Sequence, residues 1–281
     1  MDNYQLTQDQ ITAYGVCLRT EEHTPSTIEK YLRDTRAFAV WLEGRPVTRE
    51  LAAEWRDRLL SSGHKPSTVN SMLAAVNGLF RFLGWGIRVK FLKVQRRLFR
   101  DQSRELTRGE YDLLVNTARA AGKERLALLM EAVCATGVRV SEVKYLTVEA
   151  AQCGRAEIAL KGKIRMILLP NKLCRKLLKY ARKQKIASGE IFLTRSGRSL
   201  SRRQIWAEMK AICTAAGVAP EKVYPHNLRH LFARAFYRVS HNIARLADVL
   251  GHSSIETTRI IYLVTTGTEQ IRQLDRLGLV L

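Results

Sequence analysis

The chain has 281 residues, 46% of them hydrophobic, and a formal net charge of +21 at pH 7. This length suits one large or two ordinary domains, and the absence of low-complexity tracts argues against disorder. No apolar run approaches the roughly 18 residues that span a bilayer, and the polar opening MDNYQLTQDQ is unlike a signal peptide. We therefore expect a cytoplasmic protein without a membrane partner, whose cationic excess favours nucleic acid, with an acidic membrane surface as the weaker alternative.

Residues 1–95 are predicted to form a bundle of four short helices. The segment TPSTIEKYLRDTRAFAVWL from Thr24 resembles KPSTVNSMLAAVNGLFRFL from Lys65, so the region contains a weak internal repeat. In each copy Pro-Ser-Thr precedes apolar residues at helical spacing, and Ser or Thr is expected to cap the first free amides. Nothing in this region indicates catalysis.

A basic connector follows, with residues 96–105 as the predicted linker between two domains. From Arg81 to Arg108 there are nine Lys or Arg against two acids, and the apolar residues among them show no clean periodicity. This pattern favours an extended segment over a helix face. It is either a solvated linker or, as we favour, a strap that lies along a phosphate backbone.

Residues 106–281 are predicted to form a larger domain of helices with a small antiparallel β-hairpin. Two helices end at Gly122 and Gly137, and further helices are expected from Asn171, Ser201, Asn227 and Asn242. AEIALKGKIRMILLP alternates apolar and basic residues on both sides of Gly162, which is typical of a hairpin. The fold class is therefore mainly α, in two domains.

The segment ATGVRVSEV places Arg139 just after the turn at Gly137, near the start of the next helix, with Ser141 as a candidate cap. An Arg in this position can point at an anion together with helix amides. Taken alone, this signal is weak, because an Arg after a turn is far more often an ordinary surface residue.

The hairpin LKGKIR presents Lys161 and Lys163 on either side of Gly162. A lysine that is desolvated or crowded by cations has a lowered pKa and can protonate a leaving group. The alternative is that both are solvated charges on an exposed turn.

The segment HNLRH contains His226, Arg229 and His230 at spacings of three and four, so all three share one face of a helix. Two histidines four apart are also a zinc spacing. The metalloprotease pattern, however, requires a Glu where this chain has Asn227, and no acid or Cys lies nearby in the sequence. A phosphate contact is therefore favoured over zinc.

The segment LADVLGHSSIETTRIIY predicts a helix ended by Gly251, then His252, and a second helix capped by Ser253 or Ser254 that ends at Tyr262. A lone Tyr at a helix end is usually half-buried packing. Any chemical role for it depends on the residues around it.

These motifs, in this order, resemble the tyrosine recombinase family, also called phage-integrase-like. Its active site combines an Arg in TGxRxSE, a hairpin Lys, an HxxR pair, a GH dipeptide and a Tyr. The matching positions here are Arg139, Lys161, His226, Arg229, His252 and Tyr262. The hairpin is one residue shorter than the usual family pattern, so Lys163 is a rival to Lys161, and the spacing from His252 to Tyr262 is ten rather than nine.

The resemblance implies a C-shaped clamp of two domains on DNA that breaks and rejoins strands through a 3′-phosphotyrosyl intermediate. Arg139 and Arg229 would bind the phosphate, His226 would remove the proton of Tyr262, and His252 would hydrogen-bond to the phosphate. Lys161 would protonate the departing 5′ oxygen. No cofactor is expected, because the bond to Tyr262 retains the energy of the broken linkage, and neither a nucleotide-binding loop nor an acidic cluster for Mg²⁺ is visible.

The implied partner is double-stranded DNA with inverted-repeat sites, bound by a tetramer in the cytoplasm in association with the nucleoid. Residues 268–281 would dock on a neighbouring protomer, although they could also pack on their own domain. Two alternatives remain: a monomeric type IB topoisomerase, and a DNA-binding regulatory protein without catalysis. Integration, excision and chromosome-dimer resolution are not distinguished.

Overall fold

The computed structural model describes residues 4–94, 102–160, 163–252, 254–262, 271 and 275–276, with the backbone alone at 102, 160, 163 and 260–262. The chain divides into two compact units, Met1–Arg96 and Arg97–Leu281. Each unit has its own buried hydrophobic core. No helix within the described ranges is long and apolar enough to cross a bilayer.

The first unit contains the four predicted helices: α1 (Gln8–Thr20), α2 (Pro25–Leu42), α3 (Arg49–Ser61) and α4 (Pro66–Phe82). Both copies of the repeat are helices, and they pack against each other. Phe38 of α2 lies edge-on to Phe80 of α4, with 5.7 Å between ring centroids. The two apolar stripes therefore meet in the core of this unit.

The capping predicted at the two Pro-Ser-Thr sequences is wrong. Helices α2 and α4 begin at Pro25 and Pro66, and the preceding residues Thr24 and Lys65 make no side-chain bond to a helix amide. Proline suits the first helical position because its φ is already helical and it has no amide hydrogen that needs a partner. The proline, not the hydroxyl residue, starts each helix.

The described end of the connector, residues 85–94, is not helical, as predicted, and runs back along α4. The side-chain amide of Asn77 bonds both the N–H and the carbonyl of Val89, each at 2.9 Å. Asn70, two helical turns earlier, bonds the N–H of Leu92 at 2.8 Å and its carbonyl at 2.9 Å. Two side chains of α4 thus satisfy backbone groups that a strand partner would otherwise satisfy.

The second unit is mainly helical with one antiparallel hairpin, which confirms the predicted fold class. Its described helices are α5 (Arg108–Ala120), α6 (Glu124–Thr136), α7 (Val148–Cys153), α8 (Asn171–Lys183), α9 (Arg202–Lys210), α10 (Cys213–Ala216), α11 (Pro225–Ser240), α12 (Ile243–Leu250) and α13 (Ile255–Tyr262). Three short 3-10 helices cover Gln102–Arg104, Val140–Tyr145 and Pro220–Lys222. Helix α11 starts at Pro225, two residues before the predicted Asn227.

The hairpin consists of β1 (Arg155–Leu160) and β2 (Lys163–Leu168), paired from Arg155 with Leu168 to Leu160 with Lys163. Ala156, Ile158 and Ile167 face the core, whereas Ile164, Met166 and Leu168 are exposed. Alternation of this kind is the pattern of a sheet with one solvated face. The register leaves residues 161–162 at the turn, outside the described residues.

Helix α6 is buried along most of its length, and α11 packs along it. Gly137 closes α6 with a φ of +65°, as predicted, and a Cβ there would lie 2.5 Å from a ring carbon of Phe232 on α11. Glycine is thus required both by the left-handed backbone and by the close approach of α11. This contact brings the turn before Arg139 next to the helix that carries Arg229.

Candidate active site

Arg139 is held by a buried carboxylate at the start of the 3-10 helix. Glu142, only 1% exposed, accepts the backbone N–H of Arg139 at 2.8 Å and its Nη1 at 3.0 Å. The predicted cap Ser141 is wrong, because the residue at the N-cap is Arg139 and Ser141 lies inside the 3-10 helix. Burial opposes ionisation of Glu142, but hydrogen bonds and the charges of Arg165 and Arg139 keep its pKa below the usual range.

Arg229 is the largest fully buried side chain among the described residues, with 2% of its surface exposed. Its Nη1 donates to the carbonyl of Gly137, and its Nη2 donates to the carbonyl of Leu250 at 2.7 Å. A guanidinium is well suited to such a place because its donors have fixed directions and it stays charged at every physiological pH. The fold therefore sets the position of this cation before any ligand arrives.

Three arginines bond three consecutive carbonyls at the end of α12. Arg165 Nη1 donates to Val249 at 3.1 Å, Arg229 Nη2 to Leu250 at 2.7 Å, and Arg139 Nη2 to Gly251 at 3.1 Å. The last carbonyls of a helix lack helical partners and carry partial negative charge, so they suit cationic donors. We call these three side chains the arginine cluster; β2, α11 and the turn after α6 each contribute one.

His252 follows Gly251, whose carbonyl accepts from Arg139, and its ring is neutral at pH 7. Its Nε2 lies 3.1 Å from Nη2 of Arg229, and its Nδ1 lies 2.8 Å from Oγ1 of Thr258. Because a guanidinium only donates, Nε2 accepts here, so the proton is on Nδ1 and points to Thr258. Burial and the nearby charges of Arg229, Arg139 and Arg165 lower the pKa of His252 to about 4.

Thr258 links this site to α13. Its side chain is fully buried and bonds His252, and it precedes Tyr262 by four residues in the same helix. Positions four apart lie on one face of a helix, so position 262 is on the same face of α13 as Thr258, whose side chain bonds His252. The tyrosine side chain itself is outside the described part of the structure.

His226 and His230 occupy the first turns of α11, with 6.3 Å between their ring centroids. Partial desolvation and the charges of Arg229, Arg139 and Arg202 lower the pKa of His226, so its ring is neutral at pH 7. Within the described ranges there is no group of three His, Cys, Asp or Glu side chains that could hold a metal ion.

The structure thus brings Arg139, Arg229 and His252 into one hydrogen-bonded group, with His226 one turn before Arg229 on α11. Of the other predicted site residues, Lys161 lies outside the described residues and Tyr262 ends α13 with its backbone alone described. The rival Lys163 begins β2, also with its backbone alone described. The positions of these three side chains remain predictions.

The sequence did not reveal two members of this group, Glu142 and Arg165. A weak signal exists for Arg165, because the alternation of β2 places it on the same side as buried Ile167. Glu142 is the Glu of the TGxRxSE motif, but the motif does not show which groups this carboxylate bonds, and an acid in the first turn of a helix is usually explained by the helix dipole.

Comparisons with known proteins identify the family of the chain. Residues 104–267, more than half of the chain, match the model of the Phage integrase family, and residues 11–86 match the N-terminal SAM-like domain of phage integrases. The chain belongs to the phage integrase family. It is thus a tyrosine-type DNA strand-exchange enzyme, as its motifs predicted.

Among the relatives of the chain is tyrosine recombinase XerC of Roseiflexus castenholzii, 30% identical over 90% of this chain and 88% of that protein. Tyrosine recombinase XerA of Thermococcus kodakarensis is 28% identical over 91% of this chain and 90% of that one. A lambda integrase tetramer bound to a Holliday junction has the same fold, with a TM-score of 0.72 at 18% identity over 92% of this chain and 78% of that chain.

Proposed function

We propose that this site-specific recombinase cuts one DNA strand by attack of Tyr262 on a phosphodiester, which leaves a 3′-phosphotyrosyl bond and a free 5′ hydroxyl. A second 5′ hydroxyl then attacks that bond and rejoins the strand. The observation that carries this proposal is the arginine cluster, in which Arg139 and Arg229 bond neighbouring carbonyls beside His252.

The two arginines would stabilise the charge that develops on the non-bridging phosphate oxygens. Such stabilisation is most effective when the donors are already in place, because no reorganisation is then needed during the reaction. The carbonyls of Gly137, Leu250 and Gly251 provide this preorganisation. Loss of one such donor typically costs about 3 kcal/mol of transition-state stabilisation.

His226 is the proposed base for the phenol of Tyr262, whose ordinary pKa is ~10. Its lowered pKa keeps the ring in the neutral form that accepts a proton. His252 is the proposed phosphate contact, and its hydrogen bonds specify what this role requires. A phosphate oxygen can accept from Nε2 only if the proton moves there from Nδ1, and the hydroxyl of Thr258 can then donate to Nδ1.

Lys161 is the proposed acid for the leaving oxygen, with Lys163 as its rival. The bond between phosphorus and O5′ breaks as the bond to the tyrosine oxygen forms, and the ammonium proton goes to O5′. The sequence patterns of the family favour Lys161. Separate replacement of each lysine distinguishes them.

Both units would contact DNA. In the connector, Arg88, Lys90 and Lys93 are exposed and have no ion-pair partner among the described residues. They alternate with the bonded residues Val89 and Leu92, which fixes the backbone between them. We infer that this segment contacts phosphates.

Assembly would follow the pattern implied for the family, with a tetramer on paired inverted-repeat sites in the cytoplasm, associated with the nucleoid. Residues 268–281 would link neighbouring protomers. Their deletion should leave binding to a single site intact and weaken cooperative assembly, which gel-shift titration on single and paired sites measures. Unchanged assembly would contradict the docking role.

The test of the proposed reaction uses a cognate DNA site with a nick next to the scissile phosphate. Once the tyrosine attacks, the short 5′ fragment diffuses away and the covalent adduct is trapped. We expect an adduct with the natural chain and none with Tyr262→Phe, while both bind the site equally. An adduct that persists in Tyr262→Phe would contradict the assignment of the nucleophile. Relaxation of arbitrary supercoiled plasmid by the monomer would instead favour a topoisomerase.

A further inference from the structure

Arg165 bonds two partners that belong to different parts of the site. Its Nη2 donates to Glu142, the carboxylate that holds Arg139, and its Nη1 donates to the carbonyl of Val249 at 3.1 Å. The side chain is 16% exposed, whereas the carboxylate is 1% exposed. An ion pair this deep is costly to form and more costly to leave half-made, so the geometry of Arg165 is strongly constrained.

The Arg165 side chain packs closely against the turn at the end of α12. Gly251 has a φ of +63°, and a Cβ there would lie 2.5 Å from Cδ of Arg165 and 2.8 Å from its Nη1. The stem of Arg165 therefore packs directly on the backbone of the turn that precedes His252. Arg165 is seated between Glu142 on one side and the end of α12 on the other.

Arg165 is also an anchor of the hairpin near its turn. It lies three residues from Gly162, and its cross-strand neighbour is Ile158. On the other strand, the hydroxyl of Tyr145 donates to the carbonyl of Ala159 at 2.8 Å. Among the described residues, these are the polar contacts that tie the turn end of the hairpin to the rest of the domain.

We propose that Arg165 is a positioning residue. It holds the hairpin, and with it the lysine that protonates the leaving oxygen, in place relative to Arg139 and Arg229. Neither the motifs nor the family comparison assigns this role. The inference rests on the proposed function, because it requires an acid on the hairpin. It assigns no contact between Arg165 and DNA.

This role makes a prediction that depends on the leaving group. An alkoxide leaving group needs a proton, because an alcohol is a far weaker acid than a thiol, whose pKa of ~8.5 lets it leave readily as the thiolate. A substrate with sulfur in place of the bridging 5′ oxygen therefore does not need the acid. A defect in positioning the acid should vanish on the sulfur substrate, and a defect in phosphate stabilisation should remain.

The experiment measures single-turnover cleavage by the full chain at saturating DNA, on matched oxygen and sulfur substrates. Arg165→Met should lose about 100-fold on the oxygen substrate, the lower end of what general acid–base catalysis contributes. On the sulfur substrate its rate should return to within about 3-fold of the natural chain, a small part of that contribution. Arg165→Lys, which retains the charge and reaches one partner at a time, should show a smaller loss with the same recovery.

Arg125→Met is the matched control. Arg125 likewise donates to one carboxylate, Glu208, and one carbonyl, Leu193, and neither of these two partners belongs to the site. It should lower thermal stability without any dependence on the leaving group. If Arg165→Met fails to fold, Arg165→Lys decides, and equal cleavage of both substrates at natural rates by that variant would overturn the proposal.

Lys161→Ala and Lys163→Ala separate the failure of this inference from the failure of the proposed function. The proposal is supported if one lysine variant and Arg165→Met both regain their cleavage rates on the sulfur substrate. If a lysine variant regains its cleavage rate on the sulfur substrate but Arg165→Met cleaves both substrates slowly, only the positioning role of Arg165 is overturned. Arg165 would then act in the phosphate pocket. No recovery by either lysine variant removes the acid from the hairpin and overturns both assignments.

Discussion

The two units of the chain use their cations in opposite ways. In the connector of the first unit, Arg88, Lys90 and Lys93 are exposed, and the neighbouring backbone is held by amides of α4. In the second unit, the arginine cluster is fixed by carbonyls, and Arg229 is 2% exposed.

This difference separates attraction from catalysis. An exposed cation interacts with a polyanion over a Debye length of roughly 8 Å in physiological salt, and it contributes by counterion release. A buried cation is screened far less. It stabilises the transition state because its donors are already directed at the phosphate oxygens before negative charge develops on them. The connector should therefore control affinity and its salt dependence, and the cluster should control rate.

Replacement of Arg229 by Lys is expected to have the largest effect. A lysine ammonium cannot bond the carbonyls of Gly137 and Leu250 and also present a planar pair of donors to phosphate. We expect single-turnover cleavage to fall by at least ~100-fold, the usual cost of losing a preorganised donor. The salt dependence of DNA binding should stay unchanged, and a changed slope in gel-shift titrations would break the comparison.

Removal of the connector cations should do the reverse. In the triple variant Arg88→Ala, Lys90→Ala, Lys93→Ala, affinity should fall and the slope of log K against log salt should decrease by up to ~2.7, from about 0.9 per phosphate contact. Cleavage at saturating DNA should match the natural chain. A lower cleavage rate at saturation would mean that the connector also acts on chemistry.

The two asparagines test whether the connector must be held in place. Asn77→Ala leaves the N–H and carbonyl of Val89 without this partner, and we expect it to cost about 1–2 kcal/mol of unfolding free energy. Affinity should fall modestly, while the salt slope stays the same because every charge remains. Asn70→Ala is the matched variant, because Asn70 bonds Leu92 in the same way. A changed salt slope in either variant would contradict the idea that these asparagines only hold the connector in place.

The smallest effect concerns pH. The folded pKa of His252 is about 4, below its ordinary value of 6.5, so the unfolded chain binds more protons in that interval. The contribution of His252 to stability is therefore complete above pH 6.5 and is lost as the pH falls toward 4. Because the ring is partly exposed, we expect a loss of about 1 kcal/mol between pH 7 and 5. Urea titrations of the natural chain and His252→Gln should show a weaker pH dependence in the variant; equal slopes would contradict it.

The helices and the hairpin could be predicted because their signals are local. The HxxR spacing places His226 and Arg229 on one helical face, and Gly137 and Gly251 end helices in the left-handed conformation that glycine tolerates. The errors were local competitions that spacing cannot decide. Proline starts the two helices at which hydroxyl caps were expected, and the 3-10 helix begins at Val140, before the expected cap Ser141.

The sequence by itself determined which side chains are available for phosphate chemistry, since motif spacing and chemical type are properties of neighbouring residues. Only the tertiary structure decided how the cations are aimed. Arg139 and Gly251 are 112 positions apart, Arg229 and Gly137 are 92 apart, and Arg165 and Val249 are 84 apart. Every residue has a carbonyl, so the sequence does not show which carbonyls bond a guanidinium. That is decided by where packing places the end of α12 relative to the three arginines.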